Sequence, residues 1–171
     1  MTQSQNRKIA EGALFAALAL IFSYIELLIP IPLPVPGLKI GFANIVIIVV
    51  LYRLGAAPAL WINLIRIFTA GLLFTGLFGA MYSLGGGLLS LAIMAVAKKT
   101  GWFSIVGVSM AGGVFHNIGQ LTVAALVLGD LKVFAYMPVL TFAGIGSGII
   151  IGFISFLILS KLPAVKVDDN N

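Results

Sequence analysis

The sequence predicts an all-α membrane protein: a polytopic bundle of six transmembrane helices with both chain ends on the cytoplasmic side. Three observations predict it. Of the 171 residues 61% are hydrophobic and only 9% charged, with a mean hydropathy of +1.17, too little polar surface for a water-soluble domain of this length. The apolar residues come in runs long enough to cross a bilayer: 9–29 holds only Glu11 and Glu26 as charged residues, and 40–51 holds none. The basic residues alternate with these runs in the manner that sets membrane orientation.

Taken in order, the first helix spans Ile9 to Ile29 after the short cytoplasmic segment 1–8. Arg7 and Lys8 give it the look of a signal peptide. It is too long for that and leads into further apolar spans, so it reads as a retained helix. Pro30, Pro32, Pro34 and Pro36 then alternate with apolar residues, which excludes helix and favours a stiff, extended connection. That loop either covers a cavity at the outer surface or is a rigid connector, and composition does not separate the two. Helices follow over Ile40 to Leu54, Pro58 to Phe78, Tyr82 to Ala97, Phe103 to Leu128 and Tyr136 to Leu162. The second and fourth are short for the ~30 Å hydrocarbon core at 1.5 Å per residue. Residues 163–171, with Asp168 and Asp169, read as a flexible cytoplasmic tail.

This topology puts Arg7, Lys8, Arg53, Lys98, Lys99, Lys161 and Lys166 on the cytoplasmic side, seven of the ten basic residues. Lys39 and Lys132 face outward, and Arg66 lies inside a span. The net charge of +5 thus reflects membrane orientation and not a nucleic-acid surface.

Polar residues inside the spans carry the functional signal, because a charge at the centre of a bilayer costs about 2.5 kcal/mol or more. Glu26, Lys39, Asn44, Asn63, Arg66, His116, Asn117 and Gln120 should therefore face the bundle interior. Helical spacing puts Asn63 and Arg66 on one face, and likewise His116 and Gln120. A polar cavity opening outward is one reading, with Arg66, Lys39 and His116 holding an anionic or polar substrate and Asn44, Asn117 and Gln120 supplying directional hydrogen bonds. The alternative is that Arg66 pairs with Glu26 and the amides only join helices.

Small residues form a second pattern. Ala13 and Ala17 lie one turn apart on helix 1, and Gly144, Gly148 and Gly152 line one face of helix 6, where close helix contact is permitted. Gly85, Gly86 and Gly87 lack the lysine and hydroxyl of a phosphate loop and read as a packing or kinking site. With five acids, one histidine and no cysteine, no metal centre, cofactor site or nucleotide site is expected.

The stretch Ala13-Leu-Phe-Ala-Ala17, the proline-rich loop, Leu38-Lys-Ile-Gly-Phe-Ala-Asn44 and Asn63-Leu-Ile-Arg66 together resemble the bacterial membrane proteins known as heptaprenyl diphosphate synthase component I or Gx transporter proteins. That family looks like the substrate-binding S components of energy-coupling factor (ECF) vitamin transporters. The resemblance implies a multi-pass protein of the bacterial cell membrane, an outward-facing site for a vitamin-like or other small molecule, and partners: a transmembrane T component, contacted through Ala13 and Ala17, and two cytoplasmic ATPases. The enzymatic name implies instead a subunit of a polyprenyl diphosphate synthase in menaquinone side-chain biosynthesis. Such chemistry resembles that of DDxxD sites holding magnesium and diphosphate, and the only Asp-Asp pair here is Asp168–Asp169 in the tail, so a non-catalytic, accessory role is the form that alternative takes. A self-sufficient secondary transporter, with Glu26 or His116 carrying a proton, is a third class.

Overall fold

A computed structural model of the chain describes residues 3–29 and 41–162. Among them every regular element is helical, as the fold class requires. The proline-rich loop, Lys39 and the acidic tail lie outside the described residues.

The helices are α1 (Gln3–Leu28), α2 (Asn44–Arg53), α3 (Ala56–Ala70), α4 (Gly76–Thr100), α5 (Ile105–Leu128) and α6 (Met137–Lys161). A π-helical turn, Gly71–Thr75, joins α3 to α4, and a 3-10 segment, Leu131–Tyr136, leads into α6. Four helical runs are long and apolar enough to cross a membrane: Ile9–Leu28, Ala56–Thr100, Ile105–Leu128 and Leu131–Lys161. The chain is thus a membrane protein. The expectation of six separate crossings goes further than these lengths do. The ten-residue α2 reaches only about 15 Å at 1.5 Å per residue, and α3 and α4 form one uninterrupted helical run.

That run is not straight. Gly71 abuts Ala80, and Gly87 abuts Asn63 and Ile67, so α4 returns along α3. The reversal sits at Gly76, whose φ of 67° belongs to the left-handed region that side-chain-bearing residues avoid. The expected break between Phe78 and Tyr82 is therefore displaced: α3 ends at Ala70 and α4 begins at Gly76. The turn uses glycine geometry and a π-helical stretch inside an apolar sequence, so no polar loop marks it.

α2 is the centre of the fold. Every residue from Asn44 to Leu51 is buried, and Phe15, Ala19, Ala59, Ile62, Leu91, Met94, Val108 and Ile151 close around it. A helix covered on all sides needs no polar face, which explains why Ile45–Leu51 is apolar without periodicity. The outer helices show the converse. Leu72, Leu77, Leu126 and Phe142 are all more than 70% exposed, the side-chain pattern of a surface facing lipid.

Glycine brings α4, α5 and α6 into backbone contact. A Cβ on Gly113 would lie 2.3 Å from the carbonyl oxygen of Gly144, one on Gly119 would lie 2.4 Å from that of Gly85, and Gly148 and Gly152 press on Met110 and Val106. The glycine face of α6 is thus consumed by packing on α5. At the opposite end from the α1–α2 connection, Arg53 pairs with Glu11. There Lys98 donates to the Leu51 carbonyl at 2.7 Å with its ammonium 4.9 Å from the Tyr52 ring centre.

Candidate functional site

Four helices contribute polar groups to one buried layer near the C-terminal end of α1 and the N-terminal end of α2. Glu26 is 8% exposed, Asn44 5%, Arg66 6%, His116 3%, and Asn63 and Gln120 fully covered. These residues face inward while Ile25, Leu27, Ile65 and Phe68 beside them on α1 and α3 are exposed, as helical phase in an apolar bundle requires.

The layer has two connected sides. On the first, Arg66 on α3 donates from Nη2 to Asn63 Oδ1 at 2.7 Å and from Nη1 to Ser23 Oγ on α1 at 3.2 Å. Ser23 in turn donates to the Ala19 carbonyl at 3.0 Å. On the second, the Glu26 carboxylate accepts the backbone N–H of Gly41. Around Gly41, whose φ is +90°, lie the Asn44 side chain and His116 Nε2, at 2.8 and 3.6 Å from where a Cβ would stand. Glu26 is within electrostatic reach of Arg66, so the two sides share one field.

Consecutive glycines of α4 run between them. A Cβ on Gly86 would meet Gln120 Cγ at 2.8 Å and His116 Cε1 at 3.0 Å, and one on Gly87 would meet Asn63 Nδ2 at 2.9 Å. Several buried polar atoms at this level make no hydrogen bond among the described residues: Asn63 Nδ2, Arg66 Nε, and both Oε1 and Nε2 of Gln120. Each such atom costs on the order of 1–3 kcal/mol when left unsatisfied. The layer therefore holds hydrogen-bonding capacity in excess of what the helices use.

Of the residues expected at the site, Glu26, Asn44, Asn63, Arg66, His116 and Gln120 come together. Asn117 does not: its Nδ2 donates to the Leu140 carbonyl at 2.7 Å, tying α5 to α6 as a helix-joining amide does. Lys39 lies outside the described residues. Direct pairing of Arg66 with Glu26 is replaced by the bonds to Ser23 and Asn63. Sequence reading missed Ser23, although it stands three residues before Glu26 on the same face of α1, and Gly41. Among the described residues no three His, Asp, Glu or Cys side chains gather as metal ligands.

Ala13 and Ala17 are both exposed. Ala13 lines a largely apolar groove of about 760 Å³ between α1 and α3, with Gly12, Ala16, Pro58, Trp61 and Ile65. Ala17 is outside it.

The family model for heptaprenyl diphosphate synthase component I matches residues 15–158. No curated protein matches the chain, and no solved structure does.

Proposed function

We propose that this chain, which belongs to the heptaprenyl diphosphate synthase component I family, is a non-catalytic, substrate-binding subunit of an uptake transporter. One observation carries the reading. Arg66, Asn63, Glu26, Asn44, His116 and Gln120 converge from α1, α2, α3 and α5 inside an otherwise apolar bundle, with polar atoms left over. A bundle held by packing alone has no use for unsatisfied amides at its centre.

In this account the chain crosses the membrane six times in the bacterial cell membrane, with α3 and α4 as separate crossings joined at Gly76 and both ends cytoplasmic. The polar layer then lies in the outer half of the bundle. The orientation is supported by seven basic residues on one side. A small vitamin-like molecule enters from outside and is held by Glu26, Arg66, Asn44, Asn63, His116 and Gln120, with Lys39, which lies outside the described residues, as a further candidate from the sequence. The name "component I" fits a chain that works with other subunits. The T component and two cytoplasmic ATPases of an ECF system are the partners proposed, the Ala13/Ala17 face of α1 being the contact.

The test is binding to the purified protein and its Arg66→Ala and Asn44→Ala forms. Loss of binding in both, with the fold kept, supports the site; unchanged affinity in both removes it. A second reading, an accessory membrane subunit of a prenyl diphosphate synthase, is favoured by the family description alone. Prenyl transfer that depends on adding this chain to a soluble partner would establish it. Uptake by the chain alone in liposomes would instead favour a secondary transporter.

A further inference from the structure

The surplus polar atoms specify what the layer binds. Gln120 is fully covered, and both ends of its amide are unpaired among the described residues. An amide offers an N–H donor and a carbonyl acceptor side by side in one plane. The group that satisfies both at once is another donor–acceptor pair of the same spacing. Asn63 Nδ2 and Arg66 Nε are also unpaired, and both are donors, so they call for acceptor oxygens.

The geometry of α4 adds shape. Gly86 faces Gln120 and His116, while Gly87 faces Asn63. The two amides thus approach a side-chain-free strip of α4 from opposite flanks, α5 and α3. A ligand amide that pairs with Gln120 is itself planar, which fixes the shape of that edge. Charge narrows the choice further. Among the described residues the layer has one guanidinium, Arg66, and one carboxylate, Glu26, within each other's electrostatic reach. Even with the Lys39 ammonium counted in, a multiply charged anion would stay uncompensated in a low-dielectric interior.

We propose that the layer takes an uncharged, planar small molecule with an amide or lactam edge, its donor–acceptor pair on Gln120 and a carbonyl oxygen on Asn63 and Arg66. This rests on the ligand-binding reading above and deepens it. On this charge balance phosphorylated molecules do not fit the layer.

The experiment uses the full chain in detergent. Its affinities for nicotinamide and uracil, uncharged and amide- or imide-bearing, are compared by titration calorimetry with those for nicotinate and inorganic pyrophosphate, and any small molecule carried through purification is identified by mass spectrometry. Nicotinamide or uracil should bind at least tenfold more tightly than either anion, and Gln120→Leu should lose tenfold or more of that affinity, because a two-point contact is removed. If no probe binds, a carried molecule with an uncharged amide edge supports the proposal. A carried or preferred anion overturns the ligand class and leaves the site standing, as does unchanged affinity in Gln120→Leu. No probe bound and no molecule carried overturns both. If Gln120→Leu does not fold, the wild-type comparison decides.

Discussion

Arg66 on α3 and Ser23 on α1 are joined through a guanidinium–hydroxyl bond of 3.2 Å in the interior of an apolar bundle. That bond ties α1 to α3 beside the unpaired amide of Asn63. Replacing Arg66 with lysine keeps the charge but not the fork that reaches Asn63 and Ser23 together. Arg66→Lys should therefore lose ligand affinity by an order of magnitude or more. It should also lower stability by about 1.5–3 kcal/mol, the range for hydrogen bonds to a charged group. Calorimetric titration and thermal unfolding in detergent check the two effects separately. A lysine variant equal to wild type in both would show that the fork has no role.

Gly41 is the pivot between Glu26 and Asn44. Its φ of +90° disfavours any side chain by roughly 1–2 kcal/mol, and an added Cβ would stand 2.8 Å from Asn44 Nδ2. Gly41→Ala is expected to lower the melting temperature and to weaken binding through displacement of Asn44. The contrasting position is Gly55, where φ is also positive but nothing lies within 4 Å. Gly55→Ala should carry the backbone strain alone and leave binding unchanged.

The glycine contacts between α5 and α6 set a third expectation. Gly113→Ala forces a methyl group against the Gly144 backbone, and backbone cannot yield as a side-chain tip can. A loss of about 1–3 kcal/mol, the usual cost of overpacking, is expected. Gly146 lies on α6, two residues after Gly144, with nothing within 4 Å of its Cβ position, so Gly146→Ala should be neutral or gain up to about 1 kcal/mol from helix propensity. Equal effects at the two sites would contradict the packing described.

Orientation is directly measurable because the chain has no cysteine of its own. Single cysteines at Lys99 and at Asp130 should label with a membrane-impermeant maleimide from opposite sides of the membrane, Lys99 from the cytoplasm. Labelling of both from one side would break the proposed topology.

Much of this was legible in the sequence, for stated physical reasons. Membrane helices announce themselves by apolar length, and buried polar residues by their cost, so Asn63, Arg66, His116 and Gln120 stood out before any fold. Asn117 was legible as buried, and joining helices was one of the two readings of the amides; that Asn117 is the amide that does so was not legible, because its partner is a backbone carbonyl on α6 that no sequence pattern marks. The turn at Gly76 was misplaced because π-helical geometry in a run of apolar residues leaves no polar signature. Ser23 escaped because a serine hydroxyl satisfied by its own helix is common in membrane spans.

The measurement closest to the central claim is mass spectrometry of small molecules released from the purified wild-type protein and from Arg66→Ala. The account predicts a stoichiometric small molecule with wild type and its loss from the folded variant. The same molecule retained equally by both, or none retained by wild type while prenyl transfer by a soluble synthase requires this chain, would contradict it.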